Sequence, residues 1–395
     1  MIVRRPNPEE YRRINELFAI CFGFPYANCP IDPDHDTDDH WAAYTDDGEM
    51  MSNFCVPAFD IRFDGNRCRM AGIGGVATLP QYRRRGGIRA CFEAALPDLY
   101  EKGFDFSFLF PFSTSYYRKF GYECCVRKLH WKVDLQLLDP PGTGGTFRLA
   151  EKSCPMTDAF RAVDAHWEAK YNMMVLHKPE DYDWTEKFDP AVKQEYTYVY
   201  FSRDQIPKGY CTFKVANESD GRNLDCSRFC FADKEGFLGL MALFKSLAAD
   251  YRYVKFITPD EPALAYLLPE WSLGAVQFSL AASSGMVRAV NVRSVLEKAG
   301  YRGTGRAVIA VADPQIPQNN GCFAVAFAEG RAVSVERTEE APDASFTVSA
   351  FSAFVAGVCD FAEGAQTLGG VTVHKNRAVL EQVFYRKPMM ITDYF

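Results

Sequence analysis

The sequence lacks the marks of several common classes of protein. It contains no run of about 18 consecutive apolar residues, so it predicts no membrane-spanning helix. Its thirteen cysteines are scattered and include no C-x-x-C pair, so neither a zinc site nor a disulfide framework has its usual spacing. The net charge of −7 disfavours general binding to nucleic acid, because such binding requires a broadly basic surface.

The first residues predict an amphipathic helix and not a secretory signal. The stretch MIVRRPNPEEYRRINELFAICF carries acidic residues inside its apolar pattern, unlike a signal peptide. Asn7 can cap the helix, Pro8 suits its first turn, and Glu10 completes a capping box. The apolar stripe comprises Tyr11, Ile14, Leu17, Phe18 and Cys21. With cysteines typical of reduced thiols, this start predicts a cytoplasmic protein.

A cluster of cations lies at the start of the next predicted helix. The sequence LPQYRRRGGIRACFEAAL, residues 79–96, follows a predicted strand and becomes helical in spacing from Ile88 onward. Helix N-termini present unpaired N–H groups, glycines allow a close approach to the backbone, and arginine forks match phosphate oxygens. This turn therefore predicts a polyphosphate site. It fits neither a P-loop nor a dinucleotide-binding turn, because GIGGVA lies within a predicted strand.

The order of the elements predicts mixed α+β sheets in three domains. The strand GFDFSFLFPF follows the helix, and we expect one of its faces to carry Phe104, Phe106, Phe108 and Phe110. A Pro/Gly-rich linker at 137–147 precedes a second strand–helix–strand order that lacks the arginine turn. The pattern changes again at Met286. These breaks predict domains at residues 1–142, 143–285 and 286–395.

The stretch GGVATLPQYRRRGGIRACF resembles the acetyl-CoA motif of the GNAT N-acetyltransferases. More narrowly, the form RRRG-x-x-R, the downstream stretch LFPFSTSYYRKFGYE and the three-part layout are similar to the Eis (enhanced intracellular survival) type. The resemblance implies two tandem GNAT-like domains, the second without the coenzyme motif, followed by an α+β domain like sterol carrier proteins. It also implies an acetyl-CoA-dependent N-acetyltransferase that needs no metal and assembles as a homo-hexamer.

The resemblance assigns the acetyl-CoA site to three segments. Backbone groups of Val76, Ala77 and Thr78 would meet the pantetheine arm. The phosphates would be bound by Arg84, Arg85, Gly86, Gly87, Ile88 and Arg89. The coenzyme site would be completed by Phe112 and Ser113. The aliphatic Ile88 replaces the small residue of general GNAT proteins, as it does in Eis-like members.

Acetylation of an amine requires two proton movements, because a lysine-type amine has a pKa of about 10.4 and the departing thiolate benefits from an acid. The resemblance gives Tyr117 as the proton donor. It gives the α-carboxylate of Phe395 as the base, delivered by the third domain. The apolar ending MMITDYF favours docking of this terminus over a solvated tail.

The candidates for the acceptor site are Phe22, Phe24, Tyr26 and Tyr394. Relatives carry an acid near the position of Phe24, which is absent here. The acidic stretch DPDHDTDDH can attract polyamines or, through His35 and His40, hold a metal. We expect polyamines, aminoglycoside-like molecules or lysine side chains as acceptors. The sequence leaves open whether acyl groups longer than acetyl are also transferred. The alternative is a lipid- or small-molecule-binding protein with a structural GNAT portion.

Overall fold

The computed structural model describes residues 1–28, 39–269, 274–281 and 284–395 of the chain. These residues form the mixed α+β fold that the sequence predicts, with three β-sheets and helices packed against them. They divide into two compact units. The first unit consists of Met1–Cys125, Gly285–Lys387 and Asp393–Phe395, and the second of Val126–Ser284 and Pro388–Thr392. Within the described ranges, no helix has the length and apolar character that crossing a membrane requires.

The elements are numbered in chain order. The strands are β1 (Ile2–Arg4), β2 (His40–Tyr44), β3 (Met50–Cys55), β4 (Ala58–Phe63), β5 (Asn66–Thr78), β6 (Phe106–Leu109), β7 (Glu123–Cys124), β8 (Lys128–Asp134), β9 (Thr146–Leu149), β10 (Tyr196–Phe201), β11 (Pro207–Glu218), β12 (Gly221–Phe231), β13 (Tyr253–Pro259), β14 (Val276–Ala281), β15 (Met286–Ala289), β16 (Gly305–Ala312), β17 (Gly321–Ala328), β18 (Arg331–Thr338), β19 (Ala344–Thr347) and β20 (Val371–Val373). The α-helices are α1 (Tyr11–Phe22), α2 (Gly87–Glu101), α3 (Thr114–Arg118), α4 (Thr157–Lys170), α5 (Pro190–Lys193), α6 (Lys234–Ser246), α7 (Val292–Lys298), α8 (Val348–Ala356), α9 (Phe361–Thr367) and α10 (Arg377–Val383). Short 3-10 helices span Pro8–Glu10, Tyr26–Asn28, Pro80–Tyr82, Pro179–Lys187, Pro262–Leu267 and Pro317–Asn319.

The larger sheet of the first unit has the strand order β1-β2-β3-β5-β6-β15-β7, with β4 paired to β5. Strand β15 pairs antiparallel with both β6 and β7. A segment near residue 287 therefore completes a sheet whose other strands all precede residue 125. The second sheet of this unit, β18-β17-β16-β19-β20, belongs to the C-terminal part of the chain.

Two helices cover opposite faces of the larger sheet. The predicted capping box is confirmed at the 3-10 helix Pro8–Glu10, which leads directly into α1, since Glu10 accepts a hydrogen bond of 2.8 Å from the backbone N–H of Asn7. The apolar stripe of α1 packs in one core cluster with Ala42, whereas α2 packs in another with Ala43. Neighbouring residues of a strand point to opposite faces, so α1 and α2 lie on either side of the sheet.

The Asp-Gly pair at residues 64–65 predicts a tight hairpin turn between two strands. It joins β4 to β5, and both residues adopt the positive φ angles that such a turn requires. The prediction of one strand face with four phenylalanines is wrong, because the strand is shorter than predicted. Strand β6 ends at Leu109, and Ser107 is as fully buried as Phe106. A strand covered on both faces loses the solvent side that alternation implies, and Pro111 lacks the N–H needed to extend the ladder.

The second unit is built around one sheet with the order β14-β8-β13-β12-β11-β10-β9. Helices α4 and α6 pack against it around Trp131, Phe160 and Phe244. The segment Pro388–Thr392 belongs to this unit, where Asn172 forms backbone hydrogen bonds with Pro388 and Met390. The predicted domain limits at 142/143 and 285/286 stay predictions.

Candidate active site

One end of strand β5 has a partner on one side only. Its pairing with β6 stops at Ile73 and Leu109, whereas its pairing with β3 continues to Thr78. Gly75 has a φ of 59° and lies where the register with β3 shifts, which is the geometry of a β-bulge. We call residues 74–78 the open end of β5. They include the predicted Val76, Ala77 and Thr78, and their second edge pairs with no strand in the described part of the chain.

The predicted phosphate-binding turn joins the open end of β5 to α2. Gly86 is the N-cap with a φ of 86°, and no side chain caps the helix. Arg84 also has a positive φ, of 66°, so the backbone curls before the helix begins. Gly87 approaches β3 so closely that a Cβ atom there would overlap Ser52. The first N–H groups of α2 are thus left to a ligand or to solvent.

A pocket of about 500 Å³ opens at this helix start. Four cations line it, namely Arg84, Arg85, Arg89 and Lys119. None of the four forms an ion pair with any other residue that the structure describes, and no carboxylate lines the pocket. The remaining lining residues are Thr78, Tyr82, Gly86, Gly87, Ile88, Tyr116 and Phe120. The pocket therefore concentrates positive charge at a helix N-terminus, where anions bind.

This pocket brings together only part of the predicted site. Thr78 and residues 84–89 line it, whereas Val76, Ala77, Phe112 and Ser113 do not. Phe112 is 71% exposed, and its ring lies 5.3 Å from that of Tyr117. Sequence reasoning missed the lining residues Tyr82, Tyr116, Lys119 and Phe120. Tyr82 stands directly before the arginines in the sequence, so that stretch could have indicated it, whereas Tyr116, Lys119 and Phe120 lie in or just after α3 and reach the start of α2 only in the tertiary fold.

The predicted Tyr117 does not line the pocket, and its side chain lies in the core cluster that also contains the lining residues Ile88 and Phe120. It is 2% exposed and packs edge-on against Phe92 and Tyr122. Burial, with smaller contributions from neighbouring tyrosines, raises the pKa of its phenol above the ordinary value. No described residue hydrogen-bonds its hydroxyl. Tyr117 is therefore a neutral phenol whose proton is available for donation.

The C-terminal residue docks against β5. The ring of Phe395 lies 5.1 Å from that of Phe59 and 5.4 Å from that of Phe110. A Cβ atom at Gly72 would lie 2.6 Å from this ring, and one at Gly74 would lie 2.6 Å from the terminal carbonyl carbon. Two glycines on one face of β5 thus make room for the ring and for the carboxylate. The terminal charge lies at the open end of this strand.

Two residues that sequence reasoning did not select, Cys55 and Phe18, lie around this terminus. Cys55 faces Gly74, because its sulfur lies 3.1 Å from the same Cβ position. Burial, followed by the charge of Asp39, raises the pKa of the Cys55 thiol to about 12. Phe18 covers Gly75, where a Cβ atom would lie 2.6 Å from its ring. These contacts arise from the bulged pairing of β3 with β5, which no local sequence pattern reveals.

The predicted acceptor residues are partly exposed aromatics. Phe22 lies 5.9 Å from Phe18 between ring centres and is 54% exposed. Phe24 and Tyr26 follow the end of α1, and Tyr394 stacks on Phe110 at 4.5 Å. Most of the acidic stretch, including His35, lies outside the described residues. His40 lies within them and contacts Asn53 through Nδ1, at 2.9 Å; no cluster suited to a metal occurs among the described side chains.

The second unit has no equivalent of the arginine turn at the start of α6. There the side chain of Asp233 accepts a hydrogen bond from the N–H of Gly236. Lys208 pairs with the same carboxylate at 2.7 Å. A carboxylate thus occupies the position at which the first unit presents unpaired N–H groups, which makes this helix start unfit for an anion.

Three protein-family models match successive parts of the chain. Models described as acetyltransferase (GNAT) domains match residues 2–125 and residues 174–292. A model described as a sterol carrier protein domain matches residues 292–391. No curated protein matches the sequence.

Solved structures share the fold over the whole chain at low sequence identity. A GCN5-related N-acetyltransferase from Anabaena variabilis matches at 18% identity with a TM-score of 0.85, covering 100% of both chains. A probable N-acyltransferase from Enterococcus faecalis matches at 20% with a TM-score of 0.84, covering 100% of this chain and 99% of its own. Eis1 from Mycobacterium abscessus matches at 19% with a TM-score of 0.81, covering 100% of both. The chain belongs to the GNAT acetyltransferases and combines two GNAT domains with a sterol carrier protein domain.

Proposed function

We propose that the first unit transfers an acetyl group from acetyl-CoA to a primary amine of a polyamine, an aminoglycoside-like molecule or a lysine side chain. The observation that carries this proposal is the position of the Phe395 carboxylate at Gly74, on the open end of β5. GNAT domains use acetyl-CoA as their second substrate. By resemblance alone, the proposal extends to a cytoplasmic homo-hexamer.

The cation-lined pocket is the proposed site for the coenzyme phosphates. Arg84, Arg85 and Arg89 supply charged donors, and the uncapped start of α2 supplies backbone N–H groups. The pantetheine arm would then run along the open end of β5, whose free edge offers N–H and C=O groups. Val76, Ala77 and Thr78 would bind it as a neighbouring strand does.

The reaction would proceed by direct attack in a ternary complex. The Phe395 carboxylate accepts a proton from the ammonium form of the acceptor, which frees the nitrogen lone pair. The nitrogen attacks the thioester carbonyl, an N–C bond forms, and the C–S bond breaks. Tyr117 gives its phenolic proton to the departing sulfur, the new amide nitrogen releases its second proton to solvent, and the phenolate regains a proton from solvent. The phenol suits this role, because burial keeps it protonated at neutral pH.

Two variants test the role of the terminal carboxylate. The first adds three residues after Phe395, and its control adds the same three residues before Met1. The second is Gly74→Ala, whose new Cβ atom would meet the carboxylate; its control is Gly369→Ala, where a Cβ atom would meet nothing within 4 Å. We expect both test variants to lower kcat for thiol release about 100-fold or more, because a general base contributes about that much.

The measurement uses acetyl-CoA with a polyamine, an aminoglycoside and a lysine peptide, alongside calorimetric binding of acetyl-CoA. Coenzyme binding retained within about twofold would show that the variants still fold. Equal turnover by the extended and native chains would remove Phe395 from the mechanism. No turnover by the native chain with any acceptor, despite bound coenzyme, would contradict the proposed reaction and favour a lipid- or small-molecule-binding protein.

A further inference from the structure

The second unit contains a pocket that acetyl transfer in the first unit does not use. Its volume is about 400 Å³, which lies within the usual range for small-molecule sites. Its lining includes the aromatic rings of Trp184 and Phe188 and the cationic side chains of Lys187, Lys193 and Arg228. We call it the lysine–tryptophan pocket. It is separate from the start of α6, where the side chain of Asp233 caps the helix.

Local backbone features place the polar groups of this pocket. Strand β12 bulges against β11, so Ser227 is an extra residue between Cys226 and Arg228. Its hydroxyl turns to the carbonyl oxygen of Thr212, at 3.3 Å. Lys193 is the last residue of α5, a short helix that the side chain of Asp189 caps.

The charge of the lysine–tryptophan pocket is positive in an acidic chain. Neither Lys187 nor Lys193 forms an ion pair with a described residue. Glu195 is the single carboxylate among the lining residues, and it is already bound by Lys214 at 3.5 Å and by Ser227 at 3.3 Å. A concave site with two unpaired lysines and an occupied carboxylate attracts anions.

The aromatic rings add a preference for a flat apolar group. Trp184 and Phe188 meet edge to face at 5.5 Å between ring centres. The guanidinium carbon of Arg228 lies 5.5 Å from the centre of the Trp184 ring, within the range of a cation–π contact. A planar ligand could stack on these groups while its anionic end meets the lysines.

We propose that the lysine–tryptophan pocket binds a small anionic ligand, in which a carboxylate or phosphate is attached to an aromatic ring. This site lies within the second unit, and it does not depend on the acetyl-transfer reaction proposed for the first. It gives the GNAT domain without an arginine turn a binding role of its own.

The test titrates the full chain with 8-anilinonaphthalene-1-sulfonate, an anionic aromatic probe, in the presence of saturating desulfo-CoA to occupy the pocket of the first unit. We expect the double variant Lys187→Glu/Lys193→Glu to weaken binding about tenfold or more, because each reversal turns an attraction into a repulsion. The matched control is Lys178→Glu/Lys234→Glu, which makes the same charge change at exposed positions outside the pocket. We expect it to bind the probe as the native chain does.

Two further comparisons sharpen this test. The uncharged analogue N-phenyl-1-naphthylamine should bind both double variants alike, because it lacks the anion. Phenyl phosphate and benzoate, as competitors, distinguish a phosphate from a carboxylate preference. The proposal is overturned by equal probe binding in the two double variants, by no saturable binding to the native chain up to about 1 mM, or by failure of both competitors to displace the probe.

Discussion

At the scale of single residues, Tyr117 is defined by its burial. Its phenol is 2% exposed, and desolvation raises its pKa above the ordinary value of about 10. An acid must be protonated to act, so a raised pKa keeps it active as pH increases. We expect Tyr117→Phe to lower kcat about 100-fold or more at every pH from about 7 to about 9. The native enzyme should show no alkaline loss from this group in that range.

Tyr116→Phe is the matched control, because the two tyrosines are adjacent and their rings lie 5.3 Å apart. Because Tyr116 lines the cation-lined pocket, the comparison is made at saturating acetyl-CoA, where loss of its hydroxyl should change kcat only a few-fold. The measurement is the pH profile of thiol release for both variants. Full activity of Tyr117→Phe would assign the proton donor elsewhere, and a new alkaline limb would show that a different acid had taken its place.

The individual residues of the site also show how much of it the sequence alone can predict. Tyr117 and Phe395 stand in recognisable stretches, so a family resemblance selects both of them. Cys55 and Phe18 carry no such mark. They reach the terminal carboxylate and the bulge only because β3 pairs with β5 in a shifted register, and cross-strand register is a long-range property.

At the scale of elements, the turn before α2 makes a comparison between adjacent arginines possible. Arg84 and Arg85 line the cation-lined pocket, whereas Arg83 does not. Removing a charged donor to phosphate costs roughly 1.5–3 kcal/mol. We therefore expect Arg84→Gln and Arg85→Gln each to raise the Kd for acetyl-CoA about tenfold or more, and Arg83→Gln to change it less than about threefold.

Calorimetric titration at two salt concentrations checks this expectation. Binding by the native chain should weaken with salt, and loss of Arg84 or Arg85 should reduce that dependence, because fewer charges are then neutralised. Equal effects at all three positions would indicate a general electrostatic field. No effect at any of them would move the phosphates away from this turn.

Elements with strong local signals were predictable. The capping box before α1, the apolar stripe of α1 and the turn at Asp64 and Gly65 each depend on a few neighbouring residues, and each is confirmed. Strand β6 shows the limit of local reasoning. Its alternating phenylalanines predict one face running from Phe104 to Phe110, but the strand spans only Phe106–Leu109 and all four of its residues are buried.

At the scale of the whole molecule, the assignment of strands to sheets could not be predicted from sequence. Strand β15 follows β6 by more than 170 residues and yet pairs with it, at Met286 and Leu109 among others. Local periodicity indicates that a strand is present without naming its partner. The sequence change near Met286 was therefore visible, but the sheet that receives this strand was not.

A buried ion pair fixes this late strand within the first unit. Arg288 of β15 and Asp313 are both fully buried, and Nη2 of the arginine donates to the two carboxylate oxygens at 2.8 and 3.0 Å. Asp313 also accepts hydrogen bonds from the backbone N–H groups of Gln315 and Ile316. Its charge is thus shared among several donors, of which the guanidinium is the one cation among the described contacts.

Removing the arginine alone should leave a buried carboxylate without its counter-ion. We expect Arg288→Met to lower the free energy of unfolding of the first unit by about 3–5 kcal/mol, the usual cost of breaking a buried pair. Arg293→Met is the control, because it breaks an exposed pair with Glu297 and should cost about 0.5 kcal/mol or less. Urea unfolding of both variants, monitored through the loss of acetyl-CoA binding, measures these free energies. Equal small losses would mean that packing around β15, and not this ion pair, holds the late strand in the sheet.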